Sequence, residues 1–215
     1  MDPNNKVRLA VAKNPSCPPA ILANLAIDAV LDVRFAVLEN PNADYQARQA
    51  ICRSPDEDMR RLLAESNSVE EDIRNELLSD PSAAVRAGMA ANTTAPHILA
   101  ALIQDADAKV RAGAALNPLT STEQRRRLAR NKSASVRIAL VQSVELARED
   151  LEVLATDRSA NVRWWVATVP GTPISERTMP QHTKRASLST PTPFSFGAGR
   201  GVDMETATAL IIDGL

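Results

Sequence analysis

Hydrophobic positions along this chain recur in short bursts of helical spacing, and the bursts themselves recur. A Val-Arg or Met-Arg pair begins at Val7, Val33, Met59, Val85, Val110, Val136 and Val162, at intervals of 26, 26, 26, 25, 26 and 26 residues. The segments that follow match one another: VRLAVAKNP, VRFAVLENP, MRRLLAESN, VRAGMAANT, VRAGAALNP, VRIALVQSV and VRWWVATVP. Self-similarity at a fixed short period marks a repeat architecture and governs every later reading. Apolar residues hold the first, fourth and fifth places of a segment, as at Val33, Ala36 and Val37, which form one face of a helix. Asn or Ser holds the eighth place at Asn14, Asn40, Ser66, Asn92, Asn117 and Ser143, and Asn tolerates the left-handed backbone that ends many helices. Pro15, Pro41, Pro118 and Pro170 follow in four segments; proline forbids continuation and biases the residue before it to extended geometry. A second helix is predicted over stretches such as 19–27, 68–79, 122–130 and 148–156, with Leu25, Leu77, Leu102, Leu128 and Leu154 on its buried face.

The expected fold class is therefore all-α: seven two-helix units of about 26 residues, filling residues 1–169. One unit is too small to bury its own apolar face, so the units should stack on one another as a solenoid. The pattern stops at Pro170. Residues 170–201 hold Pro170, Pro173, Pro180, Pro191 and Pro193 among many Ser and Thr and end in FSFGAGRG, a flexible-linker composition. Residues 202–215 close the chain with Ala209, Leu210, Ile211, Ile212 and Leu215. Three readings stand open for them: a helix over an end of the stack, a peptide for another protein, or a disordered terminus.

A polar ladder runs beside the apolar one. Six residues before each arginine stands Asp, Asn or Ser: Asp2 with Arg8, Asp28 with Arg34, Ser54 with Arg60, Asp80 with Arg86, Asp105 with Arg111, Asn131 with Arg137 and Asp157 with Arg163. An arginine near a helix N-terminus opposes the macrodipole. Its recurrence calls for a partner, and the residue six places back is expected to supply it through charge-assisted hydrogen bonds. The competing reading has those residues capping helices while the arginines point to solvent. Both readings are structural, not catalytic.

Composition narrows the function. Net charge is −1 and aromatics make up 3% of the 215 residues, which gives no global field for nucleic acid or anionic membrane. Charge is nonetheless uneven. Residues 56–80 carry nine acids, including Asp56, Glu57, Asp58, Glu70, Glu71 and Asp72, against three Arg, a net of −6. Residues 109–137 carry eight bases, including Arg125, Arg126, Arg127, Arg130 and Lys132, against Glu123, a net of +7. These two groups are the candidate partner surface. The basic one is also the candidate phosphate contact, although no aromatic interleaves it.

Candidate chemistry is sparse. His97 and His182 are the two histidines, and Cys17 and Cys52 are too few for a four-thiolate zinc site or an iron–sulfur cluster. Cys52 reads as a small core residue, and Cys17 as an exposed thiol in the turn after Pro15. FGAGRG follows no predicted strand, which rejects a phosphate cradle. The start has no apolar run with a cleavage site, and no stretch approaches the ~18 apolar residues of a spanning helix. The expectation is a cytoplasmic, non-catalytic protein without catalytic, cofactor or metal residues.

These segments resemble the leucine-rich repeat variant family of bacteria. DPNNKVRLAVAKNPSCPPAILANLAID at residues 2–28 and DVRFAVLENP at residues 32–41 carry the closest match; later copies fit more loosely. The resemblance covers about four-fifths of the chain. It implies a right-handed superhelix in which one helix per unit is 3₁₀; the period here exceeds the family's usual unit, which leaves the second helix open between α and partly 3₁₀. The best-known member carries an N-terminal iron–sulfur module held by cysteines, whereas here the array starts at Asp2 with no cysteine cluster before it. The Asp-turn-Val-Arg pattern is similar to HEAT repeats as well. The functional expectation is a scaffold that binds another protein, with nucleic-acid binding through the basic group as the rival.

Overall fold

The computed structural model describes residues 2–66, 69–143 and 146–170. The linker and the apolar C-terminal segment expected beyond residue 170 lie outside them. The described residues form thirteen α-helices and no strand. In order they are α1 (Asn5–Lys13), α2 (Pro19–Leu25), α3 (Leu31–Leu38), α4 (Tyr45–Cys52), α5 (Glu57–Glu65), α6 (Glu71–Leu78) and α7 (Ala83–Asn92), then α8 (Pro96–Leu102), α9 (Ala108–Leu116), α10 (Thr122–Leu128), α11 (Ala134–Gln142), α12 (Arg148–Ala155) and α13 (Ala160–Thr168). The even-numbered helices are α-helical, not 3₁₀. No described helix is long and apolar enough to cross a membrane.

Local chemistry sets the starts. Asn4, Asp44, Asp56, Ser82, Asp107 and Ser121 cap helices by accepting backbone N–H bonds. Pro19 and Pro96 open α2 and α8, where their missing N–H has no intrahelical use. Ser121 and Gln124 make a reciprocal capping box on α10. The odd-numbered helices each begin two residues before the Val-Arg or Met-Arg pair, so each ladder arginine sits at the end of the first turn.

Helices of 7 to 10 residues are too short to persist alone in water, so packing holds them. The odd-numbered helices pack against one another in chain order, and α2, α4 and α6 pack in order beside them. One core runs through the contacts. Val33, Met59, Val85, Val110, Val136 and Val162, the first-place residues after the first segment, are each 0% exposed. The predicted leucines Leu25, Leu77, Leu102, Leu128 and Leu154 are buried too. Gly113 marks the tightest approach: a Cβ there would lie 2.5 Å from the Ala87 carbonyl oxygen, so only glycine lets α9 sit this close to α7.

Helix ends differ from the expectation. Asn14 and Asn117 follow α1 and α9 with φ, ψ of −72°, 116° and −68°, 126°, extended and not left-handed. The proline after each favours that geometry. Asn92 stays inside α7 as its last residue, and Thr93 caps it; this is the segment with the 25-residue interval and no proline. Cys17, expected to be exposed, is buried at 2% exposure. It lies on the apolar inner side of the turn, at the register position where Ala43, Val69 and Thr120 are likewise buried.

Candidate functional site

The ladder arginines join neighbouring segments, and in a register different from the expected one. Arg8 does not meet the carboxylate of Asp2. Its Nη1 donates to the Asp2 and Pro3 carbonyl oxygens at 2.9 and 3.2 Å. Its Nε and Nη2 reach forward to the Asp28 carboxylate at 2.6 and 3.0 Å. The same fork recurs. Arg60 holds the Ser54 carbonyl and Asp80, Arg86 the Asp80 carbonyl and Asp105, and Arg137 the Asn131 carbonyl and Asp157. The residue six places back thus supplies a backbone carbonyl, and the side-chain partner belongs to the next segment. Each Asp also accepts the backbone N–H two residues on, as Asp28 does from Val30 and Asp105 from Asp107. One carboxylate therefore closes its own turn and receives the preceding arginine. Among the described residues the carboxylate of Asp2 accepts a local bond alone, from the Asn4 N–H.

Burial makes these pairs matter. Side-chain exposure is 14% for Arg8 and 2% for Asp28, and 4% for Arg137 and 9% for Asp157. Removing one partner of such a pair strands a charge and costs more than an exposed pair is worth. The hydrogen bond from Arg8 holds the Asp28 carboxyl below the ordinary carboxylate range, against the opposing effect of burial. Arg86 does the same to Asp105. At Asp157 burial opposes ionisation most, yet Arg137 and the Ser159 N–H together keep its pKa lowered.

Two rungs depart from the pattern. Ser54 has no carboxylate, and Arg34 instead reaches Asp56, the N-cap of α5, through Nη2; its Nε is buried without a partner. For Arg111 the register offers Asn131, where four other segments place the aspartate that receives an arginine. Arg111 Nη1 donates to the Asp105 and Ala106 carbonyls at 2.6 and 2.8 Å, but its Nε is buried without an acceptor.

Asparagine makes a second inter-segment bridge. The Nδ2 of Asn40 donates to the Ala12 and Asn14 carbonyls at 2.6 and 2.9 Å, and that of Asn117 to the Ala90 and Thr93 carbonyls at 2.8 and 3.0 Å. These carbonyls belong to the last turn or cap of the preceding odd-numbered helix, where intrahelical donors run out. The same side chains accept the N–H two residues on.

A further arginine series escapes a reading keyed to the Val-Arg pair. Arg48, Arg74 and Arg125 each lie fifteen residues after their anchor valine or methionine. All three fold back to a carbonyl five residues earlier, at Ala43, Val69 and Thr120. Arg48 also grips Glu70 at 2.9 and 2.6 Å, and the pairing lowers the Glu70 pKa. The shared register position was the available signal.

This separates the candidate partner surface into two kinds of residue. Asp56, Glu70 and Asp72 are engaged, with Arg34, Arg48 and the Tyr45 hydroxyl respectively, and Arg125 is half-buried on its own turn. Glu57, Asp58 and Glu71 are exposed, as are Arg126, Arg127, Arg130 and Lys132. Glu123 meets Arg126 and Arg127 at 3.6 and 3.2 Å along α10, a contact worth little in water. An open groove of about 510 Å³ lies between the turns that precede α5 and α7, lined by Cys52, Arg53, Ser54, Arg60, Glu76 and Asp80 among others. Cys52 is buried and free, and burial pushes its thiol up to about 11. Among the described residues no three His, Cys, Asp or Glu side chains are grouped to hold a metal ion. Comparison with protein-family models, curated proteins and solved structures gives no match to this chain.

Proposed function

We propose that this chain is a non-catalytic scaffold that binds another protein: a right-handed solenoid of seven two-helix units, of the leucine-rich repeat variant or HEAT-like kind, working in the cytoplasm. One observation carries the reading. The polar residues that recur at fixed register are bonded between or within segments, and the exposed charged residues are the ones that vary from segment to segment. A repeat frame with variable side chains on its surface is how stacked-helix proteins select partners. The exposed acids Glu57, Asp58 and Glu71 and the exposed bases Arg126, Arg127, Arg130 and Lys132 give such a surface two signs of charge, which suits a polar protein partner in one orientation.

Nucleic-acid binding is the second reading, on the strength of the four exposed bases on and after α10. A salt series separates the two. Phosphate contacts release counterions, so affinity would fall log-linearly with salt. The expected result is no DNA or RNA binding at roughly physiological ionic strength, with a protein recovered by immobilised wild-type chain and lost with Arg126→Glu/Arg127→Glu/Arg130→Glu. Tight nucleic-acid binding abolished by that same triple variant overturns the scaffold reading.

A further inference from the structure

The inter-segment joint has two halves, and the two ends of the helical stack each expose one of them. At the start, Val7 is 42% exposed while its six register equivalents are each 0% exposed. Ile21 is 44% exposed, while Ala47 and Ile73 at the same register are 0% and 1%. Asp2, at the place where Asp28, Asp80, Asp105 and Asp157 each receive an arginine from the preceding segment, is exposed.

The other end carries the complement. Arg163 donates to the Asp157 carbonyl at 2.7 Å, and among the described residues no carboxylate receives its remaining nitrogens. Trp164 is 43% exposed, edge-on to Trp165 with ring centres 5.0 Å apart. It stands at the register of Arg61 and Ala87, the residues whose atoms lie against Gly88 and Gly113 of the following helix. The position matching those glycines in the first segment is Ala10, small and exposed. A guanidinium fork and an indole at one end thus face the register of a carboxylate, an alanine and two uncovered aliphatics at the other.

We propose that copies of this chain associate head to tail, the Arg163 and Trp164 end of one seated on the Asp2, Val7 and Ile21 end of the next, so that the ladder continues between molecules. The occupant of each end is a second copy, because charge and shape are complementary between ends and repeat a joint already made within the chain. Two different patches meet, so the contact is heterologous and yields an open series unless it closes into a ring. This inference rests on the ladder and is independent of the lateral surface proposed to bind another protein.

The test is sedimentation velocity of the full chain over a wide concentration range, with Asp2→Arg, Arg163→Asp and Val7→Glu alongside. Circular dichroism melts check that each variant is folded; Val7 and Asp2 are exposed, so those two should melt as the wild type does. Wild-type mass should rise with concentration past the dimer. Asp2→Arg and Arg163→Asp should each associate on the order of 30-fold more weakly, the scale set by loss of a paired charge at an interface, and Val7→Glu should weaken association by placing a charge in its apolar part. An equimolar mixture of Asp2→Arg and Arg163→Asp chains should recover association, because each then offers one native end and one reversed end that match the other's. A wild type that stays monomeric, as it would if residues 171–215 of the same chain covered an end, overturns the proposal. So does a plateau at a symmetric dimer, an undiminished Val7→Glu chain, or a mixture no more associated than its components.

Discussion

Asn131 and Arg111 isolate what a single atom exchange does to the ladder. In four other segments the residue at this register is an aspartate that accepts the Nε and Nη2 of the preceding arginine. Asn131 spends its oxygen on the Ser133 N–H, and Arg111 Nε is left buried and unpaired. Asn131→Asp should therefore stabilise the protein by about 1 kcal/mol or more, since hydrogen bonds to charged groups are worth roughly 1.5–3 kcal/mol before the desolvation of the new carboxylate. A melting temperature unchanged or lowered by Asn131→Asp would show that Arg111 gains nothing from a carboxylate. Arg86→Ala supplies the opposite case. It strands the Asp105 carboxylate and the Asp80 carbonyl and should cost on the order of 3 kcal/mol, whereas Arg126→Ala, half exposed on α10, should change stability by about 0.5 kcal/mol or less. Chemical denaturation of both variants gives the comparison, and equal losses would place the ladder in solvent.

Between helices the decisive contact is steric. Gly113 is a poor helix former by propensity, and alanine there would gain up to about 1 kcal/mol if nothing opposed it. The Ala87 carbonyl oxygen, 2.5 Å from where the methyl would sit, opposes it. Backbone cannot rotate aside, so α9 must move away from α7, and overpacking of this kind costs roughly 1–3 kcal/mol. Gly88 faces the side chains of Glu65 and Arg61 at 3.1 and 3.3 Å instead, and those can shift. Gly113→Ala should lower the denaturation midpoint while Gly88→Ala leaves it level or raises it. The reverse order would mean that the α7 and α9 backbones are not in this contact.

For the whole molecule, the ladder predicts how stability follows pH. The carboxyls of Asp28, Asp105 and Asp157 are lowered in the folded protein. A carboxyl so depressed contributes stability that is fully present above its unfolded value, near pH 3.9, and is lost as pH falls through the folded value. Denaturation midpoints should be level from neutrality to about pH 5 and decline below about pH 4, and the decline should shrink in a variant carrying Asp28→Asn, Asp105→Asn and Asp157→Asn. Midpoints indifferent to pH down to 3, or a decline as steep in the triple variant, would remove the aspartates from the account. The buried thiols give an independent probe. Cys17 and Cys52 both have raised pKa values from burial, and thiolate is the reactive form. Both should react with a disulfide reagent at neutral pH only as fast as the structure opens, so labelling faster than unfolding would show an accessible site.

The helical class, the inward valines and leucines and the helix stops before Asn14-Pro15 and Asn117-Pro118 were legible in the sequence, because each follows from spacing within about ten residues and from the chemistry of Pro, and the period was legible because seven segments match one another. Even the existence of an arginine ladder was legible, since its offset never varies. What spacing could not choose was the partner. Asp2 is six residues from Arg8 and Asp28 is twenty away, and only the packing of one segment on the next brings the distant carboxylate to the fork while the near residue turns its carbonyl to it. The same holds for Asn40 and Asn117, which read as local helix stops but reach across to the segment before. It holds for Cys17, buried because the turn folds inward, and for Gly113, whose purpose is a carbonyl in another helix. A one-dimensional repeat states which residues recur; which atoms meet depends on the offset between neighbouring segments, and that offset is set by side-chain volume and backbone approach in three dimensions.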